Sequence, residues 1–293
     1  MVFLSYLING ISLGSVYAII ALGYTMVYGI AKMLNFAHGD VIMVGAYMSY
    51  TVAGSLGLPV IPCILVAMAV CTLLGIVIEG LAYKPLRGAS SLAVLITAIG
   101  VSYFLQNAAQ LIWGPAEIAF KSVVSAKPLV LFGGALTVSV EMIVTLVIAV
   151  IIMVGLTLYV NKTKMGKAMR AVSEDRAAAQ LMGINVNKTI STTFAIGSAL
   201  AAVAGVLLCS KVQAVWPTVG SMPGIRAFTA AVFGGIGSIP GAMLGGMLLG
   251  LIETLSGAFI STQFSDAIVF MVLIIILLLK PAGLLGKQVQ EKV

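Results

Sequence analysis

Residues 164–185 read KMGKAMRAVSEDRAAAQLMGIN, and they are the one long polar and charged helical segment in a chain that is otherwise almost wholly apolar. Met165, Met169 and Val172 fall on one face of a helix at this spacing, whereas charged residues fall on another. The segment is therefore amphipathic. It lies between two long hydrophobic runs, so we expect it to join two membrane spans.

The second half of this segment has the signals of a short helix with defined ends. Ser173 can cap its start, and Glu174 and Asp175 follow in the first turn, where free N–H groups and the helix dipole favour carboxylates. Gly183 is placed to end the helix in a left-handed turn. These signals predict a helix over 174–182.

The composition identifies a membrane protein. Hydrophobic residues make up 61% of the 293 residues and charged residues 9%, whereas soluble domains have about 25% charged residues. So few polar side chains cannot cover a water-exposed surface. No Lys or Arg precedes the first apolar run, so residues 3–30 are expected to stay as a spanning helix. Cys63, Cys71 and Cys209 lack metal-ligand spacing and are interpreted as small packing residues.

Apolar runs predict an all-α polytopic membrane protein with eight or nine transmembrane helices. A helix needs about 20 residues to cross about 30 Å of hydrocarbon. Long runs are 5–30, 58–82, 92–113, 137–160 and 189–209, and shorter or Gly-rich runs are 41–53, 241–260 and 266–279. The stretch 222–237 is broken by Pro223 and by a glycine-rich sequence, so it is interpreted as a half-helix or re-entrant element.

Basic residues predict the orientation. Most of the 16 Lys and Arg residues lie in four places: at Lys32, near 83–91, in the central segment and in the tail. The four exceptions are Lys121, Lys127, Lys211 and Arg226. Because short cytoplasmic loops are enriched in Lys and Arg, we predict a cytoplasmic segment 161–188, an outside amino terminus and an inside carboxyl terminus. The chain is predicted to be a single permease domain over 1–293, with possible repeats 1–113 and 137–280.

Several polar residues in apolar surroundings are candidates for a translocation path. His38 lies beside Asn35 and Asp40, so it could contact substrate or take part in a protonation relay. Alternatively, His38 and Asn35 satisfy backbone groups where a helix starts inside the protein, and we favour this second interpretation. Glu253 lies in an apolar run, where an unpaired carboxylate costs at least about 2.5 kcal/mol. We therefore expect it to face a partner or water, and we regard it as a path candidate.

A second group of polar residues lies in the run 92–113. Gln106, Asn107 and Gln110 place three amides within about one helical turn, which suits either a translocation wall or interhelical hydrogen bonds, and we favour the bonds. Glycines four residues apart recur at Gly10/Gly14, Gly241/Gly245 and Gly246/Gly250. Such pairs indicate helices that approach each other closely.

The sequence has no phosphate-binding loop and no zinc-protease histidine pair. We therefore expect no catalytic residues, no metal site and no cofactor in this chain. The chain is predicted not to be an enzyme.

Five stretches carry a family resemblance. They are NGISLGSVYA at 9–18, GYTMVYG at 23–29, NFAHGD at 35–40, the central segment from Gly166 to Asn185, and FTAAVFGGIGSIPGAMLGG at 228–246. Together they strongly resemble the membrane permease of branched-chain amino acid ABC importers, and its H-type subunit in particular. The resemblance runs from about residue 9 to residue 286. It implies a multi-pass protein of the bacterial inner membrane that imports Leu, Ile or Val.

The resemblance also implies partners. Such a permease pairs with a second related permease, two cytoplasmic ATPase subunits that bind the ATP, and a periplasmic substrate-binding protein. We expect contact with the lipid membrane and none with nucleic acid.

The central segment resembles the loop by which importer permeases dock on their ATPases, and it departs from that loop's commoner form at Arg176 and Ala177. The residues assigned to ATPase coupling are Arg170, Ser173, Glu174, Asp175, Arg176, Ala178, Ala179, Leu181, Met182 and Gly183. Ala178, Leu181 and Met182 are predicted to enter a groove of the ATPase, with Glu174, Asp175 and Arg176 at its rim. The alternative is an amphipathic helix resting on the membrane surface.

Two other functions are compatible with the residues. A related ABC permease for other amino acids, amides or urea would have the same docking and gating parts. A self-sufficient transporter would use Glu253, Asp40 and His38 for proton coupling and would transport without a partner. The missing nucleotide motif and the amphipathic cytoplasmic helix favour the partner-dependent importer.

Overall fold

The computed structural model describes residues 2–122, 128–131 and 136–286. These residues are mostly helical, and the predicted all-α polytopic class is confirmed. The helices are α1 (Val2–Ala31), α2 (His38–Leu56), α3 (Val60–Ile78), α4 (Ser91–Trp113), α5 (Val140–Lys162), α6 (Lys164–Glu174), α7 (Arg176–Leu181), α8 (Val186–Val212), α9 (Ser221–Gly234), α10 (Ile239–Phe259) and α11 (Ser265–Leu279). Lys127, Lys287 and Lys292, which entered the orientation prediction, lie outside the described residues.

Within the described ranges, six helices are long and apolar enough to cross a membrane. They are α1, α4, α5, α8, α10 and α3 with its π and 3-10 extension to Leu86. The predicted count of eight or nine is therefore approximate. α11 has 15 residues, and α2 carries the buried polar residues His38, Asp40 and Ser49. The broken stretch 222–237 forms the 14-residue helix α9 followed by a glycine turn.

Side-chain caps begin several helices. Thr163 Oγ1 accepts a hydrogen bond from Gly166 N (3.0 Å) at α6, and Asn185 Oδ1 accepts one from Lys188 N (3.0 Å) at α8. Ser238 Oγ accepts from Gly241 N (3.2 Å) at α10. Each cap satisfies an N–H group that has no partner inside its own helix.

Two short antiparallel pairs join distant parts of the chain. Strand β1 (Ile118–Ala119) pairs with β4 (Ala214–Val215), and β2 (Leu129–Leu131) pairs with β3 (Leu136–Val138). Because Leu136–Val138 is a strand, the predicted helix over 137–160 begins too early. The structure starts α5 at Val140.

The chain divides into two compact units, each built from separated segments. The first lies within Met1–Thr25, Ala126–Gly155 and Arg226–Val293. Within it, α1 and α10 approach closely: a Cβ on Gly14 would lie 2.7 Å from Met247 O, and one on Gly250 would lie 2.2 Å from Gly14 N. The predicted role of these glycines in close helix packing is confirmed.

The second unit lies within Met26–Ser125 and Leu156–Ile225. In it, α2 packs against α3 and α8, and a Cβ on Gly205 of α8 would lie 2.1 Å from Ile42 O of α2. Cys71 and Cys209 are buried in this unit, as is Cys63, in agreement with packing roles. The internal repeat 1–113 and 137–280 stays a prediction.

Candidate functional site

The central segment consists of two helices joined at Asp175. Asp175 has extended backbone angles, ends α6, and begins α7 by accepting hydrogen bonds from Ala177 N (2.8 Å) and Ala178 N (3.0 Å) through Oδ1. The prediction that Ser173 is the cap is therefore wrong. Ser173 Oγ instead donates to Arg170 O (2.7 Å) within α6. One carboxylate oxygen of Asp175 can satisfy two N–H groups at the start of a helix. This favours ending α6 and beginning α7 at this residue.

The helix that was predicted to couple to the ATPase is shorter than predicted, and it ends at the predicted glycine. It covers Arg176–Leu181 instead of 174–182, and Glu174 belongs to α6. Gly183 has φ of 80°, the left-handed conformation predicted for it, and Ile184 N donates to Ala179 O (3.0 Å). This closing turn holds the end of α7 against the start of α8.

Two large apolar side chains project from the end of this helix. Leu181 is 88% exposed and Met182 is 82% exposed, and Ala178 is exposed beside them. Glu174 and Asp175 are exposed as well. Ala179 is only 4% exposed, so it packs inward, because the six-residue helix α7 has one face turned to the chain itself. Its assignment to ATPase coupling stays a prediction.

Arg176 also faces inward. Its Nη2 donates a hydrogen bond to the carbonyl oxygen of Ala31, the last residue of α1. Burial and the positive charge of Arg87 lower the pKa of Arg176, so the guanidinium is best accommodated next to an acceptor. Arg176 is half-buried, and its predicted position at the rim stays a prediction. Arg170 is exposed, and its Nη1 lies 3.5 Å from Asn161 Oδ1.

A polar cluster that the sequence analysis missed lies next to the central segment. Arg87 donates to a carboxylate oxygen of Glu79 and to Asn187 Oδ1, and Ser191 Oγ donates to Glu79 Oε2 at 2.5 Å. These contacts tie the loop after α3 to the first turns of α8. The available signal was Glu79, a carboxylate within the apolar run 58–82.

Asn35 and His38 lie in the turn that leads into α2. Asn35 Oδ1 accepts a hydrogen bond from the Tyr83 hydroxyl (2.9 Å), and Asn35 O accepts one from His38 N (3.1 Å). The Asn35 side chain therefore pairs with another side chain here. His38 is the first residue of α2 and is buried. Their roles in translocation stay predictions.

Gln106 makes the interhelical bonds that were predicted for the three amides. Its Nε2 lies 2.8 Å from Asp40 Oδ1 on α2 and 3.3 Å from Ser221 Oγ at the start of α9. Asn107 and Gln110 are exposed, and Asn107 Nδ2 donates to Tyr103 O of its own helix (2.7 Å). Interhelical bonding is confirmed for Gln106, whereas Asn107 bonds within its own helix, because adjacent helical positions face different directions. The translocation roles of Gln106 and Asn107 stay predictions.

Glu253 has the partner that its apolar surroundings require. Arg226 Nη1 lies 2.7 Å from Glu253 Oε1 and 2.9 Å from the Tyr17 hydroxyl, and Arg226 Nη2 lies 2.5 Å from Asp266 Oδ1. Arg226 entered the orientation prediction as one of the four basic residues off the cytoplasmic side, and it lies in α9. The missed signal was the presence of two carboxylates, at 253 and 266, in neighbouring apolar runs.

Comparisons with known proteins agree on one family. The family described as "Branched-chain amino acid transport system / permease component" matches residues 6–277. The chain is 44% identical to the high-affinity branched-chain amino acid transport system permease protein BraD of Pseudomonas aeruginosa, covering 99% of this chain and 98% of the relative. It is 44% identical to LivH, the protein of the same description in Escherichia coli K12, with the same coverage.

A more distant relative shares nearly the same extent. The probable branched-chain amino acid transport permease protein LivH of Methanocaldococcus jannaschii is 31% identical over 92% of this chain and 88% of the relative. A match of this length includes the central segment, both polar clusters and the candidate spans. The chain belongs to the family of branched-chain amino acid transport system permease components.

Proposed function

We propose that the chain is the membrane permease subunit of an ATP-driven importer that moves leucine, isoleucine and valine into the cytoplasm. The observation that carries this proposal is the 44% identity, over nearly the whole length of both chains, to two permeases of high-affinity branched-chain amino acid transport systems. Six candidate spans support a multi-pass position in the cytoplasmic membrane.

The partners in the proposal are a second related permease, two cytoplasmic ATPase subunits and a periplasmic binding protein that delivers the amino acid. ATP is bound and hydrolysed on the ATPase subunits. The exposed Leu181 and Met182 at the end of a capped helix support docking, since paired apolar side chains in a charged segment suit a groove on another protein. The small residue Ala178 beside them permits close approach.

The contacts around α7 suggest how movement of the ATPases reaches the spans. Arg176 joins α7 to the end of α1, and the turn at Gly183 joins it directly to α8. Arg87 joins the start of α8 to Glu79 at the end of α3. A displacement of α7 is thus applied to three helices at their cytoplasmic ends, which is the requirement for opening and closing a path between helices.

Reconstitution into proteoliposomes tests the proposal. The chain, a related permease and two ATPase subunits from its own genome, supplied with the matching binding protein, are expected to take up radiolabelled leucine only when ATP is inside. The chain alone is expected to take up none. Proton- or sodium-driven leucine uptake by the chain alone would contradict the proposal, as would an assembled complex that transports amides or urea and excludes leucine.

A further inference from the structure

We infer that a cavity between α2, α4 and the start of α9 is a binding site for an amino acid zwitterion with an apolar side chain. The inference rests on the proposed function, since that function sends such a solute across the membrane. The cavity has a volume of about 330 Å³, which suits a small ligand because pockets range over about 300–1,000 Å³. Residues of α4, which is a candidate membrane span, form part of its lining.

One end of the cavity carries a buried negative charge. Asp40 lines it and is 2% exposed, and its Oδ1 accepts a hydrogen bond from Gln106 Nε2. None of the ion pairs formed by the described residues includes Asp40. A carboxylate has room for about four hydrogen bonds and is costly inside a membrane without a positive charge nearby. An α-ammonium group supplies that charge and three donors.

A second polar feature, close to Asp40, is the start of α9. Ser221 is the first residue of this 14-residue helix and lines the cavity. The amino-terminal end of a helix has a partial positive charge, which favours an anion. Gln106 Nε2 lies within hydrogen-bond distance of both Asp40 and Ser221, so the two ends are one side chain apart. The α-carboxylate is assigned to the Ser221 end.

Most of the remaining wall is apolar and is formed by Phe36, Leu95, Ile99 and Ile225. Ser102 and Tyr103 of α4 complete the lining. A branched aliphatic side chain can be buried here without losing hydrogen bonds, whereas a charged or amide side chain would leave its polar groups unpaired. The carboxylate of Asp40, the helix start at Ser221 and the largely apolar walls favour apolar amino acids over carboxylic acids and polar amino acids, with amines binding more weakly than amino acids.

A backbone contact fixes the distance between the two polar ends. A Cβ on Gly220 would lie 1.8 Å from Gly39 O, and a Cβ on Gly39 would lie 2.6 Å from Gly220 O. Each glycine directly precedes one of the polar residues, Asp40 or Ser221. The two residues are therefore held in place by main-chain atoms, which pre-organises the site.

Equilibrium binding of radiolabelled leucine tests the inference. The assembled permease–ATPase complex is held in nanodiscs without ATP and without binding protein, so leucine can bind only to the complex. Saturable binding is expected. Isopentylamine, which retains the ammonium group and the branched chain, is expected to compete, and 4-methylpentanoate, which lacks the ammonium group, is expected not to.

Three variants separate the site from general effects on folding. Asp40→Asn is expected to weaken leucine binding about tenfold or more, since it removes a charged hydrogen-bond partner, and to abolish competition by isopentylamine. Ile99→Trp fills the cavity from a wall position that is 42% exposed and is expected to abolish leucine binding. Leu111→Ala, on the same helix as Gln106 but at a position that is 89% exposed, is expected to bind leucine like the wild type.

The outcomes are distinct. The inference is overturned if the wild type shows no saturable leucine binding. It is also overturned if Ile99→Trp binds leucine with unchanged affinity. If Asp40→Asn does not assemble, the Ile99→Trp variant alone decides. ATP-driven leucine uptake by a complex that shows no such binding overturns the inference and leaves the proposed function standing. Cavity binding of an apolar amino acid by a complex that has no ATP-driven uptake overturns the proposed function.

Discussion

Arg176 donates a hydrogen bond from Nη2 to the carbonyl oxygen of Ala31, 145 residues earlier in the chain. Ala31 is the last residue of α1, and Lys32 follows with φ of 51°, a left-handed conformation that ends the helix. The carboxyl-terminal end of a helix has unpaired carbonyl groups and a partial negative charge, so it is a favourable partner for a guanidinium. The contact joins the short helix α7 to a membrane-spanning helix.

Removing this contact is expected to uncouple the two helices. In the reconstituted complex, Arg176→Ala should lower ATP-driven leucine uptake about tenfold, because a hydrogen bond from a charged group contributes about 1.5–3 kcal/mol. Binding of the ATPase subunits should persist, since Leu181 and Met182 remain exposed. The matched control is Lys188→Ala, an exposed basic residue nearby. Wild-type uptake in Arg176→Ala would show that this contact does not transmit movement.

The exposed pair at the end of α7 is expected to hold the ATPase. Leu181→Asp combined with Met182→Asp should leave the permease folded, because both side chains are more than four-fifths exposed. The double variant should lose co-purification of the ATPase subunits and leucine-stimulated ATP hydrolysis. Lys167→Asp, which adds a carboxylate on the exposed face of α6, is the control and should retain both. Intact co-purification in the double variant would place docking elsewhere.

Adjacent alanines in α7 are expected to respond differently to the same substitution. Ala179→Asp should lower the free energy of unfolding by about 3 kcal/mol or more, because it places an unpaired carboxylate at a position that is 4% exposed. Ala178→Asp should leave the melting temperature unchanged and weaken ATPase binding, because Ala178 is exposed. Equal melting temperatures for the two variants would contradict the inward position of Ala179.

Arg226 forms ion pairs with Glu253 and Asp266. Removing the arginine alone is expected to lower the free energy of unfolding more than removing the arginine together with one carboxylate. Arg226→Met leaves Glu253 and Asp266 without their shared cation and should lower the free energy of unfolding by about 3 kcal/mol. Adding Glu253→Gln to this variant should recover part of that loss, because Glu253, with 12% side-chain exposure, is the more buried carboxylate. Melting temperatures in one detergent measure both effects. A further decrease in the double variant would show that the ion pair is not the origin of the loss.

The turn between α9 and α10 is expected to require glycine. Gly237 has φ of 92°, and a Cβ on Gly241 would lie 2.4 Å from Gly234 O. Gly237→Val combined with Gly241→Val should therefore prevent folding or abolish transport, since valine cannot take a positive φ without strain. Gly155→Val, where a Cβ meets nothing within 4 Å, is the control. Wild-type expression and uptake in the double variant would refute this role.

Much of the helical arrangement follows from local sequence. Apolar runs predicted α1, α3, α4, α8 and α10 to within a few residues, because the hydrophobic length of a span and the residues that end it are properties of neighbouring positions. The sequence also predicted that the central segment is helical, although the cap was assigned to Ser173 instead of Asp175. Both residues are good caps, and only the backbone angles at 175 decide between them.

Contacts between distant segments depended on the tertiary structure. Arg226 and Glu253, Arg176 and Ala31, and Gly39 and Gly220 are each far apart in sequence, and their pairing depends on how helices approach and turn relative to one another. A helical pattern states which residues share a face but not which neighbour that face meets. The sequence alone therefore determined a helical membrane permease with an amphipathic central segment. Only the tertiary structure decided which buried charges are paired and which polar residues surround a cavity, because these depend on non-local distances between side chains.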